Sequence, residues 1–145
     1  MAQRRHWRVI MPEIQINYIA ICLSVIAVIL IGILWYSPFL FGETWLDAHG
    51  YSTEQMREAA GRNLLVSIIS YSVMAIVLSV FISYAGVTTY YHGAFTGFLV
   101  WIGFLATLGM TAHMVLDQTW SIYFIDTGYQ FVYSIAMGAI IGGWQ

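Results

Sequence analysis

The sequence predicts an all-α membrane protein, an up-down bundle of four transmembrane helices with one interfacial amphipathic connection after the first. Three observations predict it. Hydrophobic residues fill 60% of the 145 positions and the mean hydropathy is +0.76. Charged residues make up only 8%, against the roughly 25% that a soluble domain uses to cover a water-facing surface. Apart from Asp126, the charges leave four apolar stretches clear, at 14–36, 63–84, 93–113 and 120–144, each close to the roughly 20 residues needed to cross hydrocarbon. Short turns join the last three stretches, which sets neighbouring helices antiparallel. The whole chain, 1–145, reads as one domain.

Residues 1–13 form a basic leader with Arg4, Arg5, His6, Trp7 and Arg8, and Pro12 precedes the first span. That span is too long for the apolar core of a secretory signal, and no small-residue cleavage site follows it. It therefore reads as a retained helix. Ala20, Ser24 and Gly32 repeat at multiples of four, which suits close contact with another helix. Cys22 is the single cysteine, so intrachain disulfides and thiolate metal clusters are excluded.

Trp35, Tyr36, Phe39, Phe41 and Trp45 crowd the exit of span one and read as an interfacial belt. Pro38 removes a backbone donor and stops the helix. The connection 37–62 carries four of the seven acids, Glu43, Asp47, Glu54 and Glu58. A short helix is expected from Thr44 towards His49, ending at Gly50. Ser52 and Gln55 then make a capping box for a solvated helix that leads into span two.

Span three opens with Gly93 and Gly97, and span four carries Ser134, Gly138 and Gly142. Small residues four apart let helix backbones approach closely, within one bundle, across a homodimer or against another subunit. Three arginines lie ahead of span one and two in the 37–62 connection, while the later turns hold none. Counting basic residues places both termini in the cytoplasm and the 37–62 connection outside. Arg4, Arg5 and Arg8 are the nearest thing to a basic patch, which is too small for a nucleic-acid footprint.

Asp126 is the one acid inside an expected span. A carboxylate there costs about 2.5–3.5 kcal/mol even on the mildest scales unless it is paired or faces water. Asp126, Gln130, Tyr133, Ser134 and Met137 share a helical face, with Tyr129 beside them. At the same expected depth lie His113, Thr107 and Thr111 from span three, and Arg62 and Asn63 from span two. These eight, Asp126, Gln130, Tyr129, His113, Thr107, Thr111, Arg62 and Asn63, are the pocket candidates. The competing reading is a satisfied structural network with Asp126 paired to Arg62 or His113.

Met110, His113 and Met114 fall at i, i+3 and i+4, a thioether–imidazole set suited to Cu(I), although methionine in an apolar helix is commonly packing material. No cofactor is expected. Phosphate loops, dinucleotide fingerprints and HExxH motifs are absent from the sequence, so no catalytic residue is assigned and the protein is expected not to be an enzyme.

The run Leu34-Trp35-Tyr36-Ser37-Pro38-Phe39-Leu40-Phe41-Gly42 followed by Trp45 resembles the first-helix exit of small bacterial membrane proteins of domain-of-unknown-function family 1761. The likeness continues through Trp101–Thr107 and Phe124–Tyr129 and closes with Met137-Gly138-Ala139-Ile140 and Trp144. The resemblance implies a bacterial inner-membrane protein and no particular activity. The family pattern carries asparagine near Thr111 and Ala112, a charge pair near Leu116 and Gln118, and histidine where this chain has Gln130. A family function resting on that histidine would be lost here.

The expected role is a non-enzymatic accessory or stabilising subunit, lying in the lipid bilayer with other membrane subunits or as a homo-oligomer. The alternative is a small transporter or binding protein with an outward pocket around Asp126. A Cu(I)-handling protein is the third reading.

Overall fold

The computed structural model describes residue 14 and residues 16–144. The basic leader, with the arginines expected to set topology, lies outside the described residues. Among the described residues the secondary structure is all helical: α1 (Tyr18–Trp35), α2 (Gly42–His49), α3 (Thr53–Tyr84), α4 (Tyr90–Val100), a π-helical turn (Trp101–Leu105), α5 (Ala106–Val115) and α6 (Trp120–Gly143). Three helical stretches are long and apolar enough to cross a membrane: Tyr18–Trp35, Thr53–Tyr84 and Tyr90–Val115. Residues 120–144, expected as a fourth span, form the continuous helix α6, whose apolar run is broken by Asp126 and Gln130 and which is not one of those three.

Local chemistry sets the helix ends. Asn17 caps α1: its Oδ1 accepts from the N–H groups of Ile19 and Ala20, both at 3.1 Å, while its Nδ2 donates to the Trp144 carbonyl at 2.8 Å. One side chain thus satisfies orphan donors at the start of α1 and ties that end to the end of α6. Beyond Trp35 the chain turns tightly through Pro38, and the N–H of Phe41 returns to the Trp35 carbonyl at 3.1 Å. Helix α2 starts two residues earlier than expected and stops at Gly50, whose φ of 68° is the left-handed cap that glycine adopts without a Cβ penalty. The expected capping box is present, with Gln55 N–H donating to Ser52 Oγ at 3.2 Å and Ser52 N–H to Gln55 Oε1 at 2.9 Å. It opens a single 32-residue helix, about 48 Å long at about 1.5 Å per residue. The solvated segment and the second apolar stretch are therefore one rigid rod.

Helix α6 is the central element. Ile125, Tyr129, Tyr133, Met137 and Ile141 form one buried stripe, and Thr127, Ser134, Gly138 and Gly142 a second. From Tyr129 onward the first stripe packs with Ile21, Val25 and Val28 of α1 and Ala75, Leu78 and Ile82 of α3 in a continuous core. The second receives α4. Gly93 lies against Gly138 and Gly142, and Gly97 against Ser134, so closely that a Cβ on Gly93, Gly97 or Gly138 would strike backbone oxygen. Further along, Gly109 approaches Tyr123 and Thr127, so the partners fall along α6 as they rise along α4 and α5. The glycine and serine ladders thus form one seam inside the chain. Outside it, large apolar side chains such as Ile33, Leu65, Val73, Phe104 and Leu108 are exposed.

The 93–113 stretch was expected as one regular helix, but it winds wider at Trp101–Leu105. Such π-turns leave carbonyls out of register with the α-helical ladder. Here Thr107 Oγ1 donates to the carbonyls of Gly103 at 3.0 Å and Phe104 at 3.2 Å.

Candidate functional site

The early part of α6 is where the other elements converge. Three consecutive residues each accept a hydrogen bond from a different indole. Trp35 at the end of α1 donates to the Ile125 carbonyl at 3.1 Å, Trp45 of α2 to Asp126 Oδ1 at 2.9 Å, and Trp101 of the π-turn to the Thr127 carbonyl at 3.0 Å. A helical carbonyl has a second lone pair free for such a donor. Tyr36 adds a fourth bond, its hydroxyl donating to Asp126 Oδ1 at 2.8 Å. Asp126 is half-buried, and both of its donors are neutral. Their shared target, Oδ1, leaves Oδ2 with its acceptor capacity.

Local sequence makes room for this convergence. Gly128 leaves space for the Trp35 ring, which sits 3.1 Å from where its Cβ would be. Gly32 does the same for Tyr129, whose hydroxyl donates to the Val28 carbonyl at 3.1 Å. The Tyr36 ring meets Trp45 edge-on at 5.5 Å and Tyr129 at 5.3 Å, and Tyr129 continues to Tyr133 at 4.9 Å. Tyr133 reaches Tyr71 of α3 at 5.2 Å. A file of aromatic rings therefore links α2, α1, α6 and α3.

The eight expected pocket residues do not gather around one cavity. Asp126 and Tyr129 belong to the aromatic convergence. Arg62 and Asn63 line a cleft of about 380 Å³ between α2 and α3, together with Trp45, Tyr51 and Gln55. Asn63 also lines a second cleft of about 280 Å³ between α1 and α3, which has Tyr36, Tyr71, Tyr129 and Ser67 on its walls. The two clefts share Met56 and Asn63, and each contains one of the two donors to Asp126.

The other four lie elsewhere. His113 is 4% exposed, with its ring against Trp120 at 4.5 Å and Tyr123 at 5.5 Å, and its Nδ1 has no hydrogen-bond partner. Gln130 is half-buried, and its Oε1 has no partner either. Thr111 is exposed and donates to the Thr107 carbonyl at 3.1 Å, while Thr107 serves the π-turn. Neither Arg62 nor His113 pairs with Asp126; Tyr36 and Trp45 take that place. Of the methionines flanking His113, Met114 is exposed, whereas the imidazole turns inward. Among the described residues no three of His, Cys, Asp or Glu gather as a metal cluster.

Sequence reasoning missed the donors. The sequence predicts an interfacial belt for Trp35, Tyr36 and Trp45, yet an indole N–H or phenol beside a half-buried acid is also a ready hydrogen-bond partner. No curated protein and no solved structure matches this chain. A family model described as a protein of unknown function (DUF1761) matches residues 19–142, nearly the whole chain, and the protein belongs to that family.

Proposed function

We propose that this is a multi-pass protein of a bacterial inner membrane that binds a small ligand at one membrane face, in the paired clefts beside Asp126. In this reading α6 is the fourth span of an up-down bundle. Its polar residues are tolerated because α1, α3, α4 and α5 shield them and neutral donors meet Asp126. On α3 the apolar part, 64–84, is about 31 Å long at about 1.5 Å per residue, close to the roughly 30 Å of hydrocarbon. Arg62 and Asn63 then stand at the boundary, and the charged first turns of α3 project beyond it with α2. With both termini cytoplasmic, the clefts open to the outside.

The observation that carries the reading is the cleft in which Arg62, Asn63, Gln55 and Trp45 converge, a few polar groups fixed on rigid helices. The accessory-subunit reading keeps one support, the broad exposed apolar surface of α4 and α5. It loses another, because the glycine ladders are spent on the internal α4–α6 seam. No catalytic role is assigned to any residue.

Native mass spectrometry of the protein, released in mild detergent from its own host membrane, tests the choice. The binding reading expects a monomer or homodimer carrying a small additional mass that Arg62→Gln diminishes. Stoichiometric recovery with other chains, and no small mass, would replace it with the accessory-subunit reading.

A further inference from the structure

Resting on that binding reading, we infer that the ligand is a single-chain amphiphile with an anionic head, carboxylate or phosphate. Its head is held at Arg62 and its chain lies between α1 and α3. The two clefts differ in character. With the Trp45 ring as a wall, its N–H already given to Asp126, the one between α2 and α3 presents the Arg62 guanidinium and the side-chain amides of Gln55 and Asn63. These are the donors that an oxyanion head takes.

The cleft between α1 and α3 adjoins it at Met56 and Asn63, and its walls turn apolar with Ile29, Ile33 and Leu64. Gly32 keeps it open on the α1 side. Polar atoms in one cleft and apolar walls in its neighbour, with Met56 and Asn63 shared between them, match a molecule built the same way. The membrane boundary inferred at Asn63 falls between the two parts, so the amphiphile would keep its head in the interface and its chain in hydrocarbon.

Charge fits as well. Among the described residues no carboxylate pairs with the Arg62 guanidinium. Glu58, one turn earlier, lines a neighbouring cleft with Arg62 and Gln55. Asp126 is bonded to the Tyr36 and Trp45 side chains that line the clefts, and neither cleft has Asp126 itself on its wall. A cationic head would gain nothing from Arg62, and a small anion without a chain would leave the α1–α3 cleft unused.

Full-length protein in detergent is titrated with oleate, methyl oleate, acetate and oleoyl-lysophosphatidylglycerol, and bound mass is read by native mass spectrometry. One oleate or lysolipid per chain is expected, with methyl oleate bound at least tenfold more weakly and acetate not at all. Arg62→Gln should weaken oleate at least tenfold. Ser67→Phe, which fills the chain cleft without touching Arg62, should do the same, and unchanged elution and helix content report that both variants fold. Preference for the lysolipid marks a membrane lipid as the source, and preference for oleate a free acid. Equal binding of methyl oleate, or binding of acetate alone, overturns the amphiphile while leaving the cleft as a site. Failure of every probe, with the native small mass unmoved by both variants, overturns the cleft reading itself.

Discussion

The indole of Trp45 donates to Oδ1 of Asp126 over 2.9 Å and so joins α2 to α6 across 81 positions of sequence. Helix α2 has only eight residues, too few to be stable alone, and this bond with the Tyr36–Trp45 ring contact fixes it against the bundle. Trp45→Phe keeps the ring and removes the donor. It is expected to cost about 1.5–3 kcal/mol, the range for a hydrogen bond to a charged group, read as a lower unfolding temperature in detergent. Because Tyr36 shares the same oxygen, the double variant with Tyr36→Phe should differ from the sum of the singles by at least about 0.5 kcal/mol. Strict additivity would mean that the two donors do not act on one acceptor.

Asp126 itself is tested by two replacements that separate shape from charge. Asparagine retains an Oδ1 acceptor for Tyr36 and Trp45, so Asp126→Asn should fold within about 1 kcal/mol of the parent. Asp126→Leu leaves both donors without an acceptor, at about 1–3 kcal/mol for each buried one. Thermal unfolding of the two side by side decides the matter. Equal damage by both would show that the negative charge, rather than the acceptor geometry, holds the convergence together.

The α4–α6 seam makes a sharper prediction. Gly93→Val or Gly138→Val places methyl groups where backbone already stands, and overpacking of this kind costs about 1–3 kcal/mol or more. Both variants should lose folded yield. By contrast, a Cβ on Gly61 in α3 meets nothing within 4 Å, and Gly61→Ala should stabilise by about 0.5–1 kcal/mol through helix propensity. If the seam variants fold as well as Gly61→Ala, the two helices do not pack through these glycines.

These residues also show what the sequence makes legible. Four-residue spacing of glycine and serine announces close backbone contact, and the structure places it between α4 and α6. Which surface receives a glycine ladder is a tertiary fact that spacing does not contain. Ser52 and Gln55 were readable because a capping box is purely local, and so was Gly50. The motifs quoted for the family were specific enough to name it, and the family model covers residues 19–142. The pocket was not legible in the same way. Equal depth along three helices says nothing of which way each side chain points, so Asp126, His113 and Thr107 were grouped although they face different neighbours. The π-turn escaped because no local motif marks it, and its tertiary anchor, the Trp101 bond to the Thr127 carbonyl, is a contact that the segment's own composition does not contain.

His113 offers a test of the copper reading against simple packing. Its imidazole is buried with Nδ1 unpartnered, and a buried polar atom without a hydrogen bond is a cost. Replacement by a ring of similar shape that lacks that atom should be neutral or stabilising, so His113→Phe should raise the unfolding temperature or leave it unchanged. Cu(I) titration with a competing chelator should give the same curve for parent and variant. Tight binding by the parent that disappears in both His113→Phe and Met110→Leu would instead establish Met110, His113 and Met114 as a soft-metal site.

The four-span arrangement can be read directly by labelling. With Cys22 replaced by serine, single cysteines are placed at Ser52, Thr88 and Gln118, in the segments that follow α2, α3 and α5. A membrane-impermeant maleimide is then added to intact cells and to opened ones. Cysteines at 52 and 118 should react in intact cells, and that at 88 only after opening, because α3 and the α4–α5 rod each carry the chain across once. The position of residue 145 completes the test: a reporter fused there should be cytoplasmic if α6 crosses and external if it does not. An external reporter with the other three positions as expected would leave three spans. Asp126 would then belong to a helix held on the outer face, and the depth assigned to the clefts would have to be abandoned.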